Sequence, residues 1–562
     1  MPTIPSTLAL HGTPSSPGGR HLRAGQSFKP GDAIAYFTEP CIAIPDAPTQ
    51  AEVCNSCLLP SSSAPRLCTG CKTIAYCSIP CQKADWARVH KEECKVFRRV
   101  QAAAQGQPLP TPVRALVQML LLADKMESST GLRLESHVED FRQHAAGGPV
   151  PEERLEGPSW RDLELQAMGA VHYLGREASL HNIANALEAA CKLQVNSFSR
   201  LDPDAGQTGL YMHPGLAMVN HSCTPSAFVQ FIGRKAVLRA YRSMQEDEEV
   251  TISYIACESH RSHRQKTLKE RYHFQCNCPR CKDDLDVYEV GQAYPHLDLN
   301  RLTLTPDPNL YRNPSTSGSL RSDVALQRVV DETFLECSQP LTGMDFAERA
   351  KLLGHRWEKC APLRKAKLYA IEPLPRTLSE ASIYFTELGR FSHSLAISCF
   401  LALNCDPFQY PVPFHPFRVK GMMAVGRLIS NTGQGYATGT ASQGSTAGQT
   451  LEARLKQVFE ATDSITVAQA ALMMGVWWGP KAHSEEWQPY QEAIEVLKDV
   501  ETLPGRADEK KMLSLWSKGG QDLEAQLFFE HAILKPVQEL ASLALDIMDT
   551  EFGGQQSLVR RS

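Results

Sequence analysis

The cysteines constrain this chain more than any other residue type. Seven of them, with one histidine, run Cys54-x2-Cys57, Cys68-x2-Cys71, Cys77-x3-Cys81, His90-x3-Cys94, and four more are Cys223 and Cys276-x-Cys278-x2-Cys281. Together they take eleven of the eighteen cysteines. Zinc takes four thiolate or imidazole ligands in a tetrahedron, and a Cys-x2-4-Cys step lets one turn of chain present two of them. The first group holds enough ligands for two closed sites and the second enough for one more. Three structural zinc ions are therefore expected. Closed sites keep no position for water or substrate, so the reaction chemistry is to be sought outside these metals. Thiolates that hold zinc must stay reduced, which points to cytoplasm or nucleus.

At 562 residues the chain is long enough for several domains, and its hydrophobic content of 42% suits a folded protein. A formal charge of −4 gives no global basic field, which argues against direct nucleic-acid binding and against an anionic membrane as partner. No apolar stretch is long enough to span a bilayer. Residues 1–17 read as a disordered leader, with neither the basic start nor the apolar run of a secretory signal.

The coarse plan is α+β and multidomain. Residues 18–53 read as short strands around the turn Lys29-Pro30-Gly31-Asp32, with apolar runs at 33–37 and 41–44. The Cys/His cluster fills 54–94 and ends in a short helix. Residues 95–195 turn helical, with apolar positions at helical spacing over 112–122 and 180–193. Strands return over 196–255, at 227–232, 236–241 and 250–254, and the last cysteines lie in 256–282. Residues 283–562 are expected to form an all-helical domain of tetratricopeptide-like helix pairs. Long helices are expected at 451–474 and 521–548, the latter kinked or broken at Pro536, with a solvated loop at 431–449.

The residues around the first cluster add to its spacing. Tyr76 precedes Cys77, Gln82 follows Cys81, and Trp86 stands four residues before His90. In this the segment resembles a MYND zinc finger. The resemblance implies interleaved pairing, with Cys54, Cys57, Cys77 and Cys81 on one zinc and Cys68, Cys71, His90 and Cys94 on the other. It also implies a Pro-rich peptide, or another protein, as partner. The nearby Lys72, Lys83, Arg88, Lys91, Lys95, Arg98 and Arg99 read as solvated charges.

Asn220-His221-Ser222-Cys223-x-Pro225, then Glu248-Glu249-Val-Thr-Ile-Ser-Tyr254, then Cys276-x-Cys278-x2-Cys281 resembles a SET domain with its post-SET zinc site. A SET fold split by a MYND finger and followed by a helical tail is similar to the SET- and MYND-domain protein-lysine methyltransferases. The resemblance implies methyl transfer from S-adenosylmethionine to lysine side chains of histones or other proteins. It makes Tyr254 the catalytic residue. It assigns cofactor contacts to Gly18, Gly19, Arg20, His137, Asn196, Asn220, His221, Tyr272 and Phe274, and a third zinc to Cys223, Cys276, Cys278 and Cys281. The chain departs from the pattern in three places: His21 stands where a glycine is usual, Asp247 replaces the glycine before Glu248, and Ser226 stands where Asn is common. The competing reading is a MYND and helical interaction protein whose SET region no longer catalyses; His21 favours it, and the intact Tyr254 and Asn220-His221 oppose it.

Overall fold

The computed structural model describes residues 4–13, 19–59, 63–103, 108–130, 134–146, 158–294, 301–337, 341, 343–437, 446–518 and 522–553. The chain divides into two compact units, Met1–Ala256 with Arg264–Cys278, and Cys257–His263 with Pro279–Ser562.

The first unit holds all the strands found among the described residues. Ala33–Phe37 pairs with Lys235–Ala240, which pairs in turn with Ala227–Ile232, all antiparallel. A second sheet has Gly206–Met212 between Ile42–Pro45 and Phe198–Asp202. Every residue of Ile42–Pro45 is buried, so this strand is an apolar run covered on both faces rather than an alternating one. Gly209 makes its pairing possible, because a Cβ there would lie 2.1 Å from the Ile44 carbonyl oxygen. Leu22, Ile34, Phe37, Ile42, Tyr211 and Leu238 form part of one continuous core.

Part of the expected leader is ordered. Leu8–His11 forms a strand antiparallel to His21–Ala24, with Leu8 buried and the Thr7 hydroxyl donating to Ile34 O at 2.6 Å. A short strand gains enough from one buried leucine and a paired edge to override a Ser/Pro-rich neighbourhood. Residues 14–18 lie outside the described residues, and Gly18 with them.

The cysteine segment follows the first strand of each sheet and precedes the other two of each. It carries the strand pair Arg66–Leu67 and Ala75–Tyr76, then the helix Ile79–Asp85. Ser78 caps that helix by accepting from the Cys81 N–H. A π-type turn, Trp86–His90, leads into the helix Lys91–Ala103. Four more helices follow: Thr111–Thr130, Val138–Ala146, Trp160–Leu174 and Leu180–Asn196. Ser159 and Asp162 form a capping box at the third, and Gly175 ends it in the left-handed conformation.

The second unit is helical throughout its described regular structure, from Pro279–Lys282 to Ala544–Phe552. Trp357, Phe385, Leu395, Leu472 and Ile547 are among its buried side chains. Three expectations need correction here. The helix expected over 451–474 is two, because Thr446–Glu460 ends and Asp463 caps a new helix, Ser464–Ala482. Both ends of the loop expected at 431–449 are helical, since Pro416–Ala437 carries on through its Gly- and Thr-containing start and Thr446 opens the next helix, while 438–445 lie outside the described residues. The helix expected over 521–548, kinked or broken at Pro536, is instead Leu523–Phe529, a π-type turn Glu530–Leu534, Lys535–Ser542 with Pro536 in its first turn, and the start of Ala544–Phe552.

Candidate metal centres and active site

Two tetrads form in the cysteine segment: Cys54, Cys57, Cys77 and Cys81, and Cys68, Cys71, His90 and Cys94. In each, the four donor atoms lie within 4.8 Å of one another. Cys57 and Cys77 sulfurs are 3.8 Å apart, those of Cys77 and Cys81 are 3.5 Å apart, and His90 Nε2 is 3.4 Å from Cys68 Sγ. A tetrahedron of thiolates around zinc has sulfur–sulfur edges of about 3.8 Å, given a bond of about 2.3 Å. The donor sets thus fit zinc without rearrangement. Leu58 and Lys72, each one residue past a Cys-x2-Cys step, have φ of 56° and 51°. Their amides donate back to Cys54 O and Cys68 O at 3.0 and 2.8 Å, closing the tight turn that aims both sulfurs inward. Burial, with the neighbouring Cys71 and Cys68, pushes the Cys94 thiol up to about 12.

Around the second tetrad lies a buried polar network that no local sequence pattern announces. His90 Nε2 faces the sulfurs, and its Nδ1 lies 3.4 Å from Glu93 Oε2. Arg114 Nε and Gln118 Nε2 each donate to Glu93 Oε1 at 2.8 Å, and Arg114 Nη1 donates to Asn55 Oδ1 at 2.8 Å. Arg114 and Glu93 side chains are each 1% exposed. Burial alone would raise the Glu93 carboxyl, but the Arg114 charge and hydrogen bonds from His90 and Arg114 hold it down to about 2. A carboxylate behind a metal-facing imidazole fixes which ring nitrogen carries the proton. Nothing in the spacing of Glu93, Arg114 and Asn55 marks them as partners; only the adjacency of Glu93 to the ligand Cys94 hints at a role.

Cys223, Cys276 and Cys278 come together in the first unit, their sulfurs within 4.8 Å of one another. Cys281 follows in the short helix Pro279–Lys282, at the start of the second unit. His221 ties this group to Tyr254. Its Nδ1 accepts the Tyr254 amide hydrogen at 3.1 Å, which leaves the proton on Nε2, 3.3 Å from Cys223 Sγ. Burial lowers the His221 imidazole to about 4, so the ring is neutral at physiological pH.

Asn220 and His221 form a two-residue parallel pairing with Thr251 and Ile252, which brings Tyr254 beside them. The Tyr254 hydroxyl donates to the Val219 carbonyl at 2.6 Å. Burial pushes its phenol above the usual tyrosine range. Its ring centre lies 4.9 Å from that of Tyr272 and 6.4 Å from that of Phe274, with His221 at 5.2 Å. Four of the expected site residues therefore share one aromatic cluster. Asn220 Nδ2 donates to Glu249 Oε1 at 3.1 Å, and because a carboxylate only accepts, this bond settles which way the Asn220 amide faces.

A second group gathers the remaining expected residues that the structure describes. Asn196 Nδ2 donates to Glu135 O at 3.0 Å, and Arg20 Nη2 pairs with Glu135 Oε1 at 2.9 Å. Gly19 adopts φ of 65°, and the space its Cβ would fill is open. His137 stacks on His273 at 5.8 Å, and Phe141 meets the same ring edge-on at 4.2 Å. His273 lies between Tyr272 and Phe274 in sequence, so it joins the two groups.

The three departures have local explanations. His21 sits in an extended strand that does not demand glycine, and its ring is held between Arg23 Nε, at 3.3 Å, and His11, at 6.1 Å. Asp247 takes the left-handed φ of 64° that glycine would favour, and Arg23 secures it through the carbonyl at 2.9 Å and the carboxylate at 3.0 Å. Asp is among the residues that tolerate this region. The Ser226 hydroxyl accepts the Thr251 amide hydrogen at 2.9 Å and so braces the strand beside Asn220.

Comparison with known proteins agrees with this arrangement. Residues 19–255 match the SET-domain family model. The histone-lysine N-methyltransferase ASHR1 of Arabidopsis thaliana is 29% identical over 278 residues, covering 49% of this chain and 55% of the relative. SET domain and MYND-type zinc finger protein 6 of Schizosaccharomyces pombe is 33% identical over 245 residues, covering 44% and 46%. The histone-lysine N-methyltransferase SMYD3 of Homo sapiens is 28% identical over 268 residues, covering 47% and 59%. The chain spans about half the length of the curated relatives it matches.

Proposed function

We propose that this chain, a SET-domain protein related to the SET- and MYND-domain lysine methyltransferases, transfers a methyl group from S-adenosylmethionine to lysine side chains of proteins. The observation that carries the reading is Tyr254, held at both ends beside Asn220 and His221. Its hydroxyl is fixed by the Val219 carbonyl and its amide by His221.

S-adenosylmethionine, when bound, supplies a methyl group on a positively charged sulfur. A free lysine has a pKa of about 10.4 and must lose its proton before its nitrogen can attack. Exclusion of water by the cluster of Tyr254, Tyr272 and Phe274, together with the sulfonium charge nearby, would disfavour an ammonium and so help that loss. The Tyr254 hydroxyl spends its hydrogen on Val219 and keeps its oxygen lone pairs for weak C–H···O contacts with the methyl group. Its role is alignment of nitrogen and methyl carbon rather than proton abstraction. Asn220, His221, Asn196, His137, Arg20 and Gly19, with Gly18 ahead of them, are the residues assigned to hold the cofactor. The open approach at Gly19 and the fixed amide of Asn220 fit that role. Zinc would be held by the two tetrads of the cysteine segment and by Cys223, Cys276, Cys278 and Cys281, in structural roles.

In this reading the SET region is split, 18–53 and 196–255, around a MYND finger at 54–94, with a post-SET segment at 256–282. The finger's partner is a Pro-rich peptide; Ile79 and Trp86, both exposed on it, give an apolar face for such a ligand. Cytoplasm or nucleus is the expected location. Among the described residues no helix is long and apolar enough to cross a membrane.

The test is transfer of labelled methyl from S-adenosylmethionine to lysine in histones and in a cytosolic protein fraction, using the zinc-replete full chain. Absence of transfer to any protein would favour the interaction-protein reading instead. A second expectation concerns Glu249. Glu249→Ala removes the acceptor that orients Asn220 and should weaken S-adenosylmethionine binding about fivefold, the worth of one hydrogen bond. Calorimetry on both proteins checks it, and unchanged affinity would separate Glu249 from cofactor binding.

A further inference from the structure

Away from the aromatic cluster, a pocket of about 250 Å³ opens between the cysteine segment and the helices that follow it. Ala47, Pro48 and Ala51 form one wall. Phe97, Val100 and Leu109, all buried in the core, form the apolar floor, and Lys72 stands at the exposed rim. Hydrogen bonds tie parts of the walls together. Gln101 Nε2 donates to Thr73 Oγ1 at 3.1 Å, Thr73 donates on to Cys71 O at 2.8 Å, and the Ala47 amide donates to Thr111 Oγ1 at 2.9 Å.

The informative residue is Gln50. It lines the pocket, is 3% exposed, and its Oε1 has no hydrogen-bond partner among the described residues. A buried acceptor without a donor is destabilising, and native proteins leave few of them. Its backbone carbonyl is satisfied, by Asn55 Nδ2 at 2.6 Å, so the deficit lies in the side chain alone. A ligand that supplies one N–H at this end, an apolar group over Phe97, Val100 and Leu109, and a negative charge at Lys72 would satisfy all three surfaces together.

We propose that this pocket binds an N-acylated hydrophobic amino acid with a free carboxylate, the chemistry of a protein carboxy-terminus ending in Leu, Ile, Val or Met. The acyl-amide N–H meets Gln50 Oε1, the side chain fills the floor, and the carboxylate pairs with Lys72. The site is independent of the methyl-transfer reading and of the Ile79 and Trp86 face. It lies one step from the second tetrad, because Lys72 and Thr73 follow Cys71 directly, and Asn55, bonded to Gln50, is bonded in turn to Arg114. An occupant therefore braces the same residues that brace His90.

The experiment is methyl-resolved NMR of the zinc-replete full chain titrated with N-acetyl-leucine. Saturable shifts of the Val100 and Leu109 methyls are expected, with low-millimolar affinity suited to so small a ligand. N-acetyl-leucine amide, which lacks the charge, should bind about threefold more weakly, in line with the modest worth of an exposed ion pair. Lys72→Asn, chosen because Asn tolerates the positive φ at this position, should erase that difference, and Gln50→Leu should weaken both ligands. A hexapeptide ending in leucine distinguishes the source. Binding at least as tight as N-acetyl-leucine assigns the pocket to protein carboxy-termini, and exclusion of the peptide assigns it to the free acyl amino acid. Absence of saturable shifts at Val100 and Leu109, or equal affinity for the acid and the amide, overturns the proposal. Should Gln50→Leu fail to fold, the acid-against-amide comparison in Lys72→Asn still decides it.

Discussion

Glu93→Ala is expected to destabilise the first unit by about 3–5 kcal/mol, the range for removing one partner of a buried ion pair. The magnitude comes from what is left behind. Arg114 is 1% exposed and would keep only Asn55 Oδ1 as an acceptor for its buried guanidinium. Gln118 would lose the acceptor of its side-chain amide as well, and His90 Nδ1 its carboxylate. An imidazole without that partner is free to rotate or change tautomer, which lowers metal affinity by about tenfold to a hundredfold. The zinc on Cys68, Cys71, His90 and Cys94 should therefore leave first when the variant meets a competing chelator. Glu93→Gln keeps the shape and one acceptor but loses the charge, and should fall between wild type and Glu93→Ala. The measurements are thermal unfolding and metal content after chelator challenge. A Glu93→Ala protein that matches wild type in both would show that the tetrad holds His90 without help.

The residues legible in the sequence are those whose chemistry forces a local pattern. Zinc ligands must come in short steps, so the spacing of the cysteines by itself announces donors enough for three metals. Tyr254 was legible through the run from Glu248 that precedes it, and the strands at 33–37 and 227–232 through their apolar pattern. Glu93, Arg114 and Asn55 were not legible, because a buried ion pair between a finger and a later helix leaves no periodic trace. Glu249 was read only as part of a motif; its bond to Asn220 depends on the parallel pairing of two very short strands. The strand at Leu8–His11 was hidden by the polar and Pro-containing residues around it, since its stability comes from pairing with His21–Ala24. Asp247 could be seen to replace a glycine, but that Arg23 secures its left-handed backbone follows only from the fold.

Tyr254→Phe should lower methyl transfer by about a hundredfold to a thousandfold, comparable to removing a preorganised polar group from a transition state, while leaving the protein folded and able to bind S-adenosylmethionine. The change deletes one oxygen from a cluster otherwise held by rings. Tyr272, Phe274 and His221 keep their packing against the remaining ring, and the His221 bond to the residue 254 amide does not involve the side chain. The Val219 carbonyl loses its donor, which costs about 1 kcal/mol and is too little to unfold the unit. Zinc content should be unchanged, because Cys223 is reached through His221 and not through the hydroxyl. The decisive comparison is the turnover rate against the cofactor dissociation constant, measured on the same preparation. A large fall in the first with little change in the second places the hydroxyl in the reaction itself. Equal losses in both would mean that Tyr254 holds the cofactor instead. Turnover close to wild type would remove the hydroxyl from the mechanism and leave alignment of the lysine to Tyr272 and Phe274.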